Sequence, residues 1–320
     1  MAVGTRITSN TYSNQLKYQL QNLQQRQLDT QQRVSAGMAF SSSSDDPTGF
    51  ATAQTTASEQ VKTNGFLKAT QSAIEVANAN QSGMTNLQTL VNRASELATQ
   101  ATGALDPSSL QAMGTEMNSI LDQVAGLANR QLDGKYLFGG TGNVAPVVLT
   151  GTSTVGAVTV NTYAYNNTAN YNSTVPTIEI EQGVSVSNGI VTGRNNSAPN
   201  FGGFLTDGTG TVDILSDLTS ARNQLLAGTA ITPAANQQII KDVNYIANFV
   251  GVTSARSSTL SKAETSLNSN ILSGKTLYSD QTGINMANEL TDLQSIQLSY
   301  SAALQTGANI LKLSLLDYMK

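Results

Sequence analysis

The sequence predicts a mainly α protein with a β-rich insert. Its N- and C-terminal halves should form a long antiparallel helical rod, coiled-coil in character, with a small β domain inserted between them. Three observations carry this reading. Apolar residues recur every three or four positions over long stretches toward both ends. Pro47, Pro107 and Pro233 stand directly after Asp46, Asp106 and Thr232, residue types whose side chains cap helices. Between roughly 141 and 210 the period falls to two, and Thr, Val, Gly and Asn dominate.

The first helix carries its stripe on Tyr12, Leu16, Leu20 and Leu23 and should stop at Gly37. The stretch "SSSSDDPTGF", 41 to 50, follows. Its adjacent carboxylates could share a proton or hold a cation. Metal ligation needs further carboxylates at fixed spacing, and none is near in the sequence. A cap explains more: Asp46 accepts from free N–H groups and Pro47 fits the first helical position. The residues Asp45, Asp46, Pro47 and Gly49 therefore read as a cap and joint, with the serines as a flexible link.

Helix starts are expected near 47, 107 and 233. After Pro107 the stripe is Leu110, Met113, Met117, Ile120, Val124 and Leu127. After Pro233 it is Ile239, Val243, Ile246, Val250, Thr253, Ser257, Leu260, Glu264, Leu267 and Ile271, a 4-3 heptad with three polar members. The last helix is expected on Met286, Leu290, Leu293, Gln297, Tyr300, Leu304 and Leu311. Gly103 should end the second helix, and Asp133-Gly134 the third. A helix of about 40 residues is ~60 Å long, so such rods must pair within or between chains.

The middle segment alternates. Ile178 and Ile180 are interleaved with glutamates, and Val184 and Val186 with serines. Asn188-Gly189 is expected to turn a tight hairpin. The predicted division is residues 1–44 with 280–320 as a terminal coiled coil, 45–140 with 211–279 as a long-helix bundle, and 141–210 as a surface insert.

Composition excludes several chemistries. The 320 residues include no Cys, His or Trp, and charged residues are 12%, against a usual figure of about 25%. Disulfides, Cys-type zinc sites, imidazole bases and Ser-His-Asp triads are therefore absent. "SGKT" at 273–276 has Ser269 where a phosphate-binding loop needs glycine, and it falls within a helical heptad. "FGGTGN" at 138–143 lacks the lysine of such a loop and reads as a hinge into the insert. No cofactor and no catalytic or metal site is expected, and the chain is not read as an enzyme. Net charge is −4, which argues against nucleic acid as a partner. No apolar run is long enough to suggest a membrane span, and the first residues do not read as a cleaved signal peptide. Residues 1–44 set four cations (Arg6, Lys17, Arg26, Arg33) against Asp29, a balance of +3. Residues 280–320 set Lys312 and Lys320 against Asp280, Glu289, Asp292 and Asp317, a balance of −2. Opposite signs favour pairing of the ends, though exposed pairs contribute little.

The N-terminal "RITSNTYSNQLKYQLQNLQQRQLDTQQRVSAGMAFSSSSDDPTGFATA" resembles the start of the flagellin superfamily. The likeness lies in a first helix, a break at Ala36-Gly37, and then an S-DDP-G-A pattern. The ending "ILKLSLLDYMK", together with "DGKYLFGGTGN" at 133–143, is similar to the hook–filament junction members of that superfamily rather than to filament flagellins. The resemblance covers roughly 1–142 and 211–320. It implies a structural subunit of the bacterial flagellum at the hook–filament junction, with a filament or minor flagellin as the alternative. It also implies export through the flagellar type III apparatus, an extracellular location and self-association into a ring. The implied partners are the other hook-associated junction protein, flagellin and a cytoplasmic export chaperone. The implied assembly residues are Leu16, Leu20, Leu23, Leu290, Leu293, Tyr300, Leu304 and Leu311 on the terminal helices. At the C-terminus, Leu311, Leu315, Leu316 and Tyr318 would serve the chaperone and assembly in turn.

Overall fold

The computed structural model describes residues 9–40, 42–103, 105–166, 175–193 and 203–318, with side chains placed between 14 and 309. In chain order the helices α1 (Ser9–Ala36), α2 (Pro47–Gln100) and α3 (Pro107–Ala128) come first. Strands β1 (Gln131–Leu132), β2 (Lys135–Tyr136), β3 (Val147–Val155), β4 (Val158–Tyr165), β5 (Thr177–Glu181) and β6 (Val184–Ser187) follow. Helices α4 (Ile214–Leu226), α5 (Pro233–Thr282) and α6 (Met286–Tyr318) complete the chain. The protein is mainly α with small antiparallel hairpins inserted between helical halves, as the sequence predicts. Among the described residues, no helix is long and apolar enough to cross a membrane.

Three helices begin at the three capped prolines. Asp106 accepts from the Ser109 amide at 3.2 Å ahead of α3, and Thr232 Oγ1 accepts from the Ala235 amide at 3.3 Å ahead of α5. Helix α1 stops before Gly37, whose φ of +67° suits glycine.

The chain divides into two compact units, residues 1–62 with 270–320 and residues 63–269. In the second unit, the stripe of α3 and the stripe of α5 both face inward. Met117, Ile120, Leu121 and Val124 are enclosed, as are Ile239, Ile246 and Leu260. The polar heptad members are satisfied there. Glu264 accepts from Gln71 at 3.1 Å, Ser257 lies 3.3 Å from Asn78, and Thr253 returns its hydroxyl to the Val250 carbonyl at 3.0 Å. "SGKT" lies inside α5.

The β strands form three two-stranded antiparallel sheets, β1–β2, β3–β4 and β5–β6. Val147 of β3 and Tyr165 of β4 share the helical core, and with Ile190, Phe204 and Leu205 from the connections after β6 they belong to the same buried cluster as α2, α3 and α5 residues. Hairpin β5–β6 lays Ile180 against Ala73, Ala77 and Leu260.

Two turn assignments from the sequence are corrected. Asp133-Gly134 does not end the third helix, which stops at Ala128. It forms the two-residue turn of the β1–β2 hairpin, with positive φ at both positions (51° and 73°). Asn188-Gly189 lies beyond β6, and the hairpin instead turns at Gln182-Gly183, where Gly183 has φ +77°. The sequence reading also did not delimit α4, whose start is capped by Asp213 accepting from the Ser216 amide at 3.2 Å.

Helix α4 packs on α3 closely enough that a Cβ on Gly114 would stand 2.8 Å from the Leu226 nitrogen. Its Arg222 is fully enclosed. It donates to Asn118 Oδ1 (3.2 Å), the Asn161 carbonyl (2.8 Å) and Asn223 Oδ1 (3.0 and 3.1 Å). Asp122 accepts from Tyr163 at 2.6 Å and from Asn118 at 3.2 Å, tying β4 to α3. Burial lowers the Arg222 pKa, and the Asp122 charge offsets part of that cost.

Candidate assembly surface

The joint between α1 and α2 is built by its two aspartates. Asp45 Oδ2 accepts from the Ser42 amide at 3.0 Å and closes the serine turn. Asp46 Oδ1 accepts from the Thr48 and Gly49 amides at 3.1 and 2.9 Å, at the start of α2. A Cβ at Gly49 would run into the Asp46 carboxylate, so the cap needs glycine three residues on. Phe40, 7% exposed, meets Phe50 edge-on at 6.2 Å. This joint is pinned to the one between α5 and α6 by a bridge between Met38 and Gly283 and by the Ala39 amide donating to the Thr282 carbonyl at 2.7 Å. Both carboxylates act on local backbone.

Helices α1 and α6 pair antiparallel. At one end a Cβ on Gly307 would overlap Leu16 Cδ2. At the other, Arg33 meets Glu289 at 3.2 Å and also donates to Thr30 Oγ1 at 3.3 Å. Counting inward from these points sets Leu20 opposite Ala303 and Leu23 opposite Tyr300. Of the predicted stripe on α1, Leu16, Leu20 and Leu23 are half-buried, and the Tyr12 side chain lies outside the described residues; Thr30 is enclosed.

The predicted stripe on α6 is corrected in part. Leu293 and Tyr300 face inward, but Ile296, 6% exposed, occupies the seam instead of Gln297. Gly307 is buried in the seam as well. Leu290 and Leu304 turn outward, at 43% and 46% exposed. They join Tyr18, Leu28, Met286 and Leu298 as apolar groups left in solvent on this helix pair. Val61 on α2 and Leu272 and Leu277 on α5 are exposed in the same unit. The backbone of α6 continues through Leu311, Leu315, Leu316 and Tyr318, but their side chains lie outside the described residues.

The heptad count missed Ile296, because a step of four from Leu293 lands on the polar Gln297 and a step of three lands on the isoleucine. An offset of one position was the available signal. The series Leu293, Ile296, Tyr300, Ala303, Gly307 has the same 3-4 spacing.

Residues 7–143 match the family model of the bacterial flagellin N-terminal helical region. The structure is similar to a Vibrio parahaemolyticus protein described as flagellar hook-associated. That match has a TM-score of 0.59 and 17% identity, covering 75% of this chain and 100% of the other. The chain has the fold of flagellar hook-associated proteins. The same fold is seen in flagellar hook associated protein-3 from Legionella pneumophila, with a TM-score of 0.55 and 15% identity over 71% of this chain and 98% of that one. It is seen again in FlgL from Bacillus cereus, with a TM-score of 0.52 and 16% identity over 70% and 98%. No curated protein matches the sequence.

Proposed function

We propose that the chain is a structural subunit of the bacterial flagellum at the hook–filament junction. The observation that carries the reading is the α1–α6 pair, which closes a seam within the chain yet leaves Tyr18, Leu290, Leu298 and Leu304 uncovered on its outside. An exposed apolar set of this kind suits a protein that packs against further copies and neighbours. The fold likeness to hook-associated proteins and the flagellin-like N-terminal region support the same reading.

In this role residues 1–44 with 280–320 serve assembly, 45–140 with 211–279 form the supporting helical body, and 141–210 is the surface-facing insert. The subunits self-associate into a ring between the other hook-associated junction protein and flagellin. The protein is exported by the flagellar type III route and works outside the cell, without catalysis. Before export, a chaperone groove takes Leu311, Leu315 and Tyr318 as i, i+4 and i+7 anchors. After export the same face packs in the assembly, so the two uses exclude each other.

Deleting the gene tests the reading. Hooks should then be made normally while unpolymerised flagellin accumulates in the medium. A strain that still grows full filaments on its hooks would overturn the junction role.

A further inference from the structure

Helix α5 buries a carboxylate that its heptad stripe does not call for. Asp242 is fully enclosed, and neither of its oxygens has a hydrogen-bond partner. Asp217 on α4 lies within electrostatic reach of it and has a buried, unpartnered oxygen of its own, Oδ2. Two ionised carboxylates could not share this interior without severe cost, since each lacks solvation and each repels the other.

The surrounding groups do not neutralise the pair. Asp213, the cap of α4, adds a third negative charge that acts on both. Lys241, beside Asp242 on α5, is exposed and donates to Gln238 Oε1 at 3.2 Å; its charge favours the ionised form of both aspartates but ranks behind burial as an influence on each. Tyr245 gives its hydroxyl to the Gly203 carbonyl at 2.8 Å. Asp207, in the connection before α4, accepts from its own loop amides at Thr209 (2.9 Å) and Gly210 (3.0 Å). Helix α2 runs antiparallel to this part of α5, with Thr99 bonded to Asn236 and Gln81 to Ser254. Its cation at the level of Asp242 is Arg93, which is held by Glu116 and Glu96 at the surface.

A metal ion would need room and further ligands. Among the described residues, no group of three or more acidic, His or Cys side chains is arranged to hold one. The cavity of about 340 Å³ in this unit is lined by Glu75, Tyr136 and Ile190 among others, and by neither aspartate. A proton needs no volume. We infer that Asp242 is held as a neutral carboxylic acid facing Asp217, so that the packing of α4 on α5 depends on a bound proton.

Burial first, and then the charges of Asp217 and Asp213, push Asp242 up to about 8, and burial raises Asp217 as well. A carboxyl raised in the folded state stabilises the fold fully below its unfolded value. That contribution is lost as pH rises from about 4 through the folded value, at up to about tenfold in the folded-to-unfolded ratio per pH unit.

The test uses the full chain. Thermal unfolding from pH 5 to 9 should show the 63–269 unit melting at lower temperature as pH rises. Asp242→Asn should flatten that dependence and melt higher than wild type at pH 8. Infrared spectra of the wild type at pH 6 should contain a protonated-carboxyl band that is missing in Asp242→Asn. Should that variant fail to fold, Asp217→Asn gives a second reading. Removing its charge should let the same band titrate away at lower pH than in wild type. Absence of the band at pH 6, parallel melting profiles for wild type and Asp242→Asn, or an unmoved titration in Asp217→Asn would each overturn the proposal.

Discussion

Leu16 packs over Gly307 so tightly that one added carbon at 307 would overlap the leucine's Cδ2 atom. The contact joins the two ends of the sequence across the α1–α6 pair. Glycine inside a helix costs about 1 kcal/mol relative to alanine, so its presence here reflects the space taken by Leu16. Gly307→Ala should therefore destabilise the helix pair, with overpacking of about 1–3 kcal/mol exceeding the gain in helix propensity. In a Leu16→Ala background the sign should reverse, and the same substitution should stabilise by about 1 kcal/mol. Thermal unfolding followed by circular dichroism on the four variants measures this. Equal effects of Gly307→Ala in both backgrounds would show that the two residues are not coupled.

The Asp46 cap and Gly49 form a second coupled pair. Asp46→Ala should cost about 1 kcal/mol, the usual loss for an N-cap. Gly49→Ala should cost a comparable amount, because its methyl would displace the Asp46 carboxylate from the amides it accepts from. Combined, the two changes should cost little more than either alone. Hydrogen exchange at the Thr48 and Gly49 amides reports the cap directly, and strict additivity would count against a shared mechanism.

The enclosed Arg222 gives a third expectation. Replacing it with Met removes the donors that serve Asn118, Asn161 and Asn223, and it withdraws the cation nearest Asp122. Breaking a buried charged network by removing one partner costs about 3–5 kcal/mol. Tyr163→Phe removes the hydroxyl that donates to Asp122 and accepts from Asn161, and should cost closer to 1–2 kcal/mol. Urea unfolding of both variants ranks them, and a larger loss for Tyr163→Phe would reverse this account.

The helical frame was legible in the sequence because its signals are local. A capping residue followed by proline fixes a start, and Leu110 to Leu127 fixes a face, without knowledge of the rest of the chain. The misread features are those decided by packing. Asp133-Gly134 can end a helix or turn a hairpin, and the hairpin is formed because Gln131 and Tyr136 pair across it. Gln297 and Ile296 differ by one position, and the choice depends on what α1 presents. Asp242 stands next to Val243, outside the heptad stripe. It is enclosed because α4 and the 203–213 connection cover α5 there, widening a narrow stripe to take in Tyr245 and Phe249. The cap and joint residues were readable for the same local reason as the helix starts. The outward apolar residues were not, since period alone does not say which face of a two-faced helix meets its own chain.

That last ambiguity separates folding from assembly on α6. Ile296 faces the chain's own α1, and Leu298, two positions on, is 74% exposed. Leu298→Gln should leave the isolated protein's stability within about 0.5 kcal/mol, because it removes no buried contact. Ile296→Ala should lower it by about 2 kcal/mol or more, as for a buried aliphatic truncation. In cells the order should differ. If the exposed face meets neighbouring subunits, Leu298→Gln should lose motility despite a normal melting temperature, and Tyr18→Ser should behave the same way. Melting curves of the purified variants, set beside swimming assays of complemented deletion strains, measure both properties. Full motility with Leu298→Gln and Tyr18→Ser combined would remove this face from the assembly surface and leave the described unit's other exposed apolar residues, Val61, Leu272 and Leu277, as the place to look.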